Sequence, residues 1–175
     1  MPRSPCKAVT PLDAEALERA ALDYVARYAT TGARLSRYLA RKLRERGWQG
    51  PGEPQVEPLV RRFADKGFID DRSFAVTRSD SMLRRGYGAA RVRSALQIAG
   101  VNSELVQQVM EENAEEAERA ALRYARRRRI GPFAEAPPDR DQKRRWIAAM
   151  ARAGHSLDLI FRILEADPAD ADIDL

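Results

Sequence analysis

An internal repeat constrains this chain more than any other feature of its sequence. Ala14-Glu-Ala-Leu-Glu-Arg-Ala-Ala-Leu-Asp-Tyr24 recurs as Ala114-Glu-Glu-Ala-Glu-Arg-Ala-Ala-Leu-Arg-Tyr124, with eight of eleven positions identical and no gap. A second periodic element appears three times. Leu43 lies four residues before Gly47, Leu96 before Gly100 and Met150 before Gly154, and Leu39, Val92 and Trp146 lie four earlier again. Spacing of four stacks side chains on one helix face. Glycine just past such a face is the usual left-handed terminator, because it has no Cβ. Each terminator is followed by a further apolar trio: Leu59, Val60 and Phe63; Leu105, Val106 and Val109; Leu159, Ile160 and Ile163. Asn102 and Ser156 stand before two of these trios as N-caps. In the first repeat a seven-residue insertion containing Gly50, Pro51, Gly52 and Pro54 pushes the trio downstream.

The pattern predicts an all-α chain: three tandem three-helix units, each like a helix-turn-helix, forming an elongated, curved array. The repeats are expected over 12–68, 69–113 and 114–166, between a disordered basic leader (1–11) and an acidic tail (167–175). Repeat three has a wider gap between its first two helices, holding Gly131-Pro132 and Pro137-Pro138. No alternating β-branched run bounded by turn residues occurs, so strands are not expected.

Composition bears on the partner. The net charge is +5, yet Glu165–Leu175 holds five carboxylates and no base, so the remaining chain carries +10. A basic body attracts polyanions by counterion release and long-range steering. No run reaches the roughly 20 apolar residues of a membrane span. The opening residues lack a secretory signal, and Cys6 has no second cysteine to pair with. A soluble cytoplasmic protein is expected, with no membrane partner.

Residues that could carry chemistry are sparse. Asp70-Asp71 could suggest a metal site or an acid–base pair, but the chain has one histidine, and a metal needs convergent ligands. Both carboxylates precede a helix starting near Arg72, where a cap and the positive helix end favour them. Gly86-Tyr87-Gly88 lacks the preceding strand of a dinucleotide fingerprint and reads as a helix-to-helix turn. No nucleophile–base–oxyanion set is present, so a non-enzymatic protein without cofactor or metal is expected. The candidate contact residues are the basic clusters: Arg84, Arg85, Arg91 and Arg93 around the central turn, Arg126, Arg127, Arg128 and Arg129 at a helix end, and Lys143, Arg144 and Arg145 at a helix start. They meet phosphate or an acidic protein surface, or they form a solvated face. Gly32, Gly47, Gly100 and Gly154 read as backbone devices, and Trp48, Phe63, Phe68, Phe74, Trp146 and Phe161 as core.

These motifs in this order resemble the RecX family. The residues that carry the resemblance are Ala21-Leu-Asp-Tyr24, Lys42-Leu-Arg-Glu-Arg-Gly47-Trp48 and Gly67-Phe-Ile-Asp-Asp-Arg-Ser-Phe-Ala75. Gly86-Tyr-Gly-Ala-Ala-Arg-Val92, Leu96, Gly100-Val101, Lys143, Ile147 and Gly154 continue it. The chain departs from the family pattern at Tyr38, where glutamate is usual, in a longer Thr30–Ala33 link, and in fuller inserts after Gly47 and Gly131. The resemblance implies a monomeric modulator of the RecA recombinase in DNA repair and homologous recombination. Such a protein binds the RecA–single-stranded-DNA filament, inhibits ATP hydrolysis, filament growth and strand exchange, and touches DNA weakly and without sequence preference. The alternative is an autonomous helix-turn-helix DNA-binding transcription regulator.

Overall fold

The computed structural model describes residues 10–166. Cys6, residues 1–9 of the expected leader and the expected tail over 167–175 lie outside the described residues. Within them the chain is all-helical: α1 (Ala14–Arg27), α2 (Gly32–Arg46), α3 (Val56–Asp65), α4 (Asp71–Arg84), α5 (Ala89–Ala99), α6 (Ser103–Glu112), α7 (Ala114–Arg128), α8 (Arg140–Ala153) and α9 (Leu157–Glu165). A short 3-10 turn, Gly131–Phe133, separates α7 from α8. The helices follow in the three trios that the repeat predicts. Strand-like pairing among the described residues is confined to one isolated bridge, Leu12 with Trp48.

Local rules set the helix ends. Asp13, Thr31, Asn102, Asp139 and Ser156 each accept a backbone N–H from two or three residues ahead, satisfying a donor that the helix itself cannot. Gly100 and Gly154 end α5 and α8 in the left-handed region, at φ of 82° and 97°. Gly47 departs from that expectation. Its φ is 79° but its ψ of 175° lies outside the left-handed helical well. The reason is the Leu12 bridge: Leu12 N–H donates to the Gly47 carbonyl and Gln49 N–H to the Leu12 carbonyl, both at 2.9 Å. The insertion then folds onto Trp48, whose indole N–H donates to the Gly52 carbonyl at 2.8 Å.

Two compact units divide the chain after Phe74. The first is built on Leu12, Leu17, Leu35, Leu39, Leu59 and Phe63. The second contains the rest of α4 and everything after it. Its core includes Ala121, Ala125, Ile130, Met150, Ile160 and Ile163, and Leu83, Val92, Leu96 and Val109 are also fully buried there. Each such large aliphatic side chain contributes about 1.5–3 kcal/mol by leaving water. Two aromatic expectations fail. Phe68 and Phe161 are 50% and 41% exposed. Phe68 follows Gly67, whose φ of 75° turns the chain out of α3, and it leans on the Phe63 ring, 5.4 Å away. Phe161 adjoins the buried Ile160 on α9, and one residue is about 100° around a helix. Trp48, Phe74 and Trp146 are half-buried, which leaves Phe63 as the fully buried member of the set.

Candidate functional site

Asp70 and Asp71 serve two different helices. Asp70 caps α4: its Oδ1 accepts the Ser73 N–H at 2.9 Å and its Oδ2 the Ser73 hydroxyl at 2.7 Å. Those bonds, the hydroxyl's first, hold its carboxyl below the usual carboxylate range. Asp71 is not a cap for its own helix, as the sequence suggests. It accepts the Gly32 N–H at 3.0 Å and so answers the first turn of α2. Among the described residues no cluster of three or more metal-ligating side chains occurs.

The Gly86-Tyr87-Gly88 turn is a docking point inside the second unit. Gly88 N–H donates to the Ala153 carbonyl at 2.9 Å and Ala90 N–H to the Gly154 carbonyl at 3.1 Å. The Arg91 guanidinium reaches the Arg152 carbonyl at 3.4 Å. The unsatisfied N–H groups that open α5 thus meet the unsatisfied carbonyls that close α8, positive helix end to negative helix end. Gly88 has ordinary extended backbone, φ −80° and ψ 165°; it is glycine because a Cβ there would fall 2.2 Å from the Gly154 carbonyl carbon.

His155 seals the same junction. Its Nε2 lies 3.2 Å from the Gly86 carbonyl. A carbonyl only accepts, so Nε2 carries the proton, and Nδ1 is left buried without a partner. Burial pushes the ring's pKa below 6.5, while the Gly86 bond opposes this more weakly. The neutral ring is therefore the folded form. As pH falls through 6.5, the unfolded chain takes up a proton that the folded one resists, so stability should fall with pH below that point. Urea titrations between pH 7.5 and about 5 check this: His155→Gln should flatten the dependence, and equal pH dependence in both proteins refutes it.

All eleven candidate cations are exposed and lie in the second unit. Arg84 ends α4 and Arg85 follows it in the turn, and the Arg127 guanidinium donates to the Arg85 carbonyl at 3.0 Å, which brings these two clusters together. Arg127 and Arg128 both lie over the Tyr124 ring, and Arg126 over Phe133. Arg129 takes the left-handed conformation at φ 53° and pairs with Glu135. Arg91 covers Tyr87 at 4.7 Å. Lys143, Arg144 and Arg145 stay apart on the first turns of α8, where Arg144 pairs with Asp141 at 3.7 Å and Arg145 reaches the Asp141 carbonyl at 3.3 Å. Sequence reasoning missed Arg123. It is half-buried and donates to the Leu83 carbonyl at 3.1 Å and to Glu116 at 2.6 Å, tying α7 to the end of α4. Its place one residue before the repeat's Tyr124 was the available signal.

Known proteins are similar to this chain in sequence and in fold. Regulatory protein RecX of Myxococcus xanthus (strain DK1622) is 33% identical over 161 residues, covering 87% of this chain and 86% of that relative. The chain belongs to the RecX family. Regulatory protein RecX of Halorhodospira halophila (strain DSM 244 / SL1) is 32% identical over 146 residues, covering 83% of this chain and 84% of its own. The crystal structure of RecX from Lactobacillus salivarius superposes with a TM-score of 0.68 at 15% identity, over 86% of this chain and 94% of that one. A second crystal structure, of a regulatory protein RecX, gives 0.65 at 19% identity, over 87% and 74%. No protein-family profile matches the chain. In this RecX-family member the stretch Gly67–Ala75 is the α3–α4 junction. There Asp70 and Asp71 cap two helices, and Phe74 lies under the Arg34 guanidinium at 5.1 Å. The Gly86–Val92 stretch is the docking point on Gly154.

Proposed function

We propose that this chain regulates the RecA recombinase by binding the RecA–single-stranded-DNA filament and inhibiting its ATP hydrolysis, growth and strand exchange. Membership of a family of regulatory proteins supports the general reading. The observation that carries the finer one is a set of exposed cations in the second unit that no carboxylate answers among the described residues. Arg84, Arg85, Arg91, Arg93, Arg127, Arg128, Lys143 and Arg145 are exposed and hold no ion pair among the described residues. Several are instead laid against aromatic rings or backbone carbonyls, which restricts their rotamers and lowers the entropy lost on meeting phosphate or a carboxylate-rich protein face.

A RecA ATPase assay on single-stranded DNA tests this. Titrating in the protein should depress the rate at less than one copy per RecA. A rate unchanged at equimolar protein refutes the proposal.

A further inference from the structure

The cations of α2 and the tyrosines beside them take no part in the reading above. α2 carries Arg34, Arg37, Arg41, Lys42, Arg44 and Arg46 against a single carboxylate, Glu45. At its centre Tyr38 stacks on Tyr24 of α1, with ring centroids 4.3 Å apart and planes at 20°. Tyr24 meets Tyr28 at 5.3 Å, and Tyr28, in extended backbone just past α1, is 59% exposed. The Arg41 guanidinium and the Lys42 ammonium lie 5.6 and 5.8 Å from the Tyr38 ring centre. The three tyrosines, Arg27, Arg41 and Asp23 line an open groove of about 360 Å³ in the first unit.

Core packing explains part of this row and not its outer end. Tyr24 and Tyr38 pack on the first unit's core, whereas Tyr28 is exposed. The nearby carboxylates do not cancel the charge. Glu45 is shared between Arg41, at 2.8 Å, and Lys42, at 3.8 Å, and Asp23 is the one carboxylate that lines the groove beside Arg27 and Arg41 among the described residues.

We propose that this groove binds single-stranded nucleic acid, an unpaired base stacking on Tyr28 while Arg27 and Arg41 take the flanking phosphates. A row of rings ending in an exposed tyrosine suits a base, because every base has a π-face, and cations beside it suit the backbone that carries it. A duplex keeps its bases stacked on each other and reaches the cations alone. An acidic peptide likewise uses the cations and leaves Tyr28 idle. The groove lies in the unit that holds none of the eleven candidate cations, and its test needs no recombinase. Either reading can therefore fail without the other.

The test is fluorescence anisotropy of the full chain with an oligothymidylate of about twelve nucleotides and with an abasic strand carrying the same phosphates. Tyr28→Leu should weaken oligothymidylate binding about tenfold, the loss of one stacked base. It should leave the salt dependence and the abasic strand's affinity unchanged, and Tyr28→Phe should bind like the parent. Arg27→Gln and Arg41→Gln should each flatten the slope of log affinity against log salt by about 0.7 on both strands. An abasic strand held as tightly as the intact one overturns the proposal, as does a Tyr28→Leu protein that binds oligothymidylate like the parent. Displacement of the strand by polyglutamate in a Tyr28-dependent manner also overturns it, in favour of an acidic protein partner. If Tyr28→Leu loses helicity, the comparison of the two strands on the unaltered protein decides alone.

Discussion

Replacing Gly88 with alanine should lower the stability of the second unit by about 3 kcal/mol or more, in the range of severe overpacking. The added methyl carbon would lie 2.2 Å from the Gly154 carbonyl carbon, 2.3 Å from its oxygen and 2.4 Å from the His155 nitrogen. All three are backbone atoms, so no side chain can rotate aside. Relief requires separating α5 from α8, which breaks the bonds from Gly88 to Ala153 and from Ala90 to Gly154. The backbone angles at Gly88 are ordinary for alanine, so the whole effect comes from close approach. Gly67→Ala is the contrasting case. Its φ is 75° with nothing within 4 Å of the added carbon, so it should lose only the left-handed penalty, about 1 kcal/mol. Urea denaturation of both variants gives the comparison. Equal midpoint shifts contradict the docking account.

Neutralising Lys143, Arg144 and Arg145 together to glutamine should weaken binding to single-stranded DNA by about tenfold or more at low salt. The slope of log affinity against log salt should flatten by about 0.7 per lost phosphate contact. The fold should be indifferent. The three are exposed, Arg144 pairs with Asp141 a turn away, and such surface pairs contribute about 0–1 kcal/mol. Removing Arg127 is a poorer probe, since its bond to the Arg85 carbonyl mixes structure with charge. Binding identical to the parent's at every salt concentration would make these residues a solvated face. Circular dichroism of the same samples separates lost contact from lost structure.

Features set by a few adjacent residues were legible in advance. Asn102 and Ser156 cap the helices that follow them, and Gly100 and Gly154 stop theirs in the left-handed region, because capping depends on residues within one turn. What depended on distant encounters was not legible. Asp71 reads as a cap for its own helix, yet its partner is Gly32, 39 residues away. Gly88 reads as an ordinary turn residue until Gly154 is seen against it. The same holds for the cations. Arginine runs declare a charge, but only packing places Arg127 on Arg85, draws Arg123 inward to Leu83, or aligns Tyr24, Tyr28 and Tyr38 beside α2. Phe68 and Phe161 were misjudged for a related reason, since aromatic character favours burial without saying which way a helix face turns.

The two long-range caps share a direction. α2 has its first N–H answered by Asp71 of α4, and α5 has its first N–H groups answered by the end of α8. In each case the second helix of a trio is completed by residues that lie later in the chain. A ribosome adds about 5–20 residues per second, so several seconds separate the synthesis of Gly88 from that of Gly154. Through that interval the opening N–H groups of α5 have only water to bond. A nascent chain stalled before Gly154 would carry α5 as a helix frayed at its first turn. Translation pauses in this stretch would prolong the time that the first turn of α5 waits for its acceptors and stays open to chaperones and proteases.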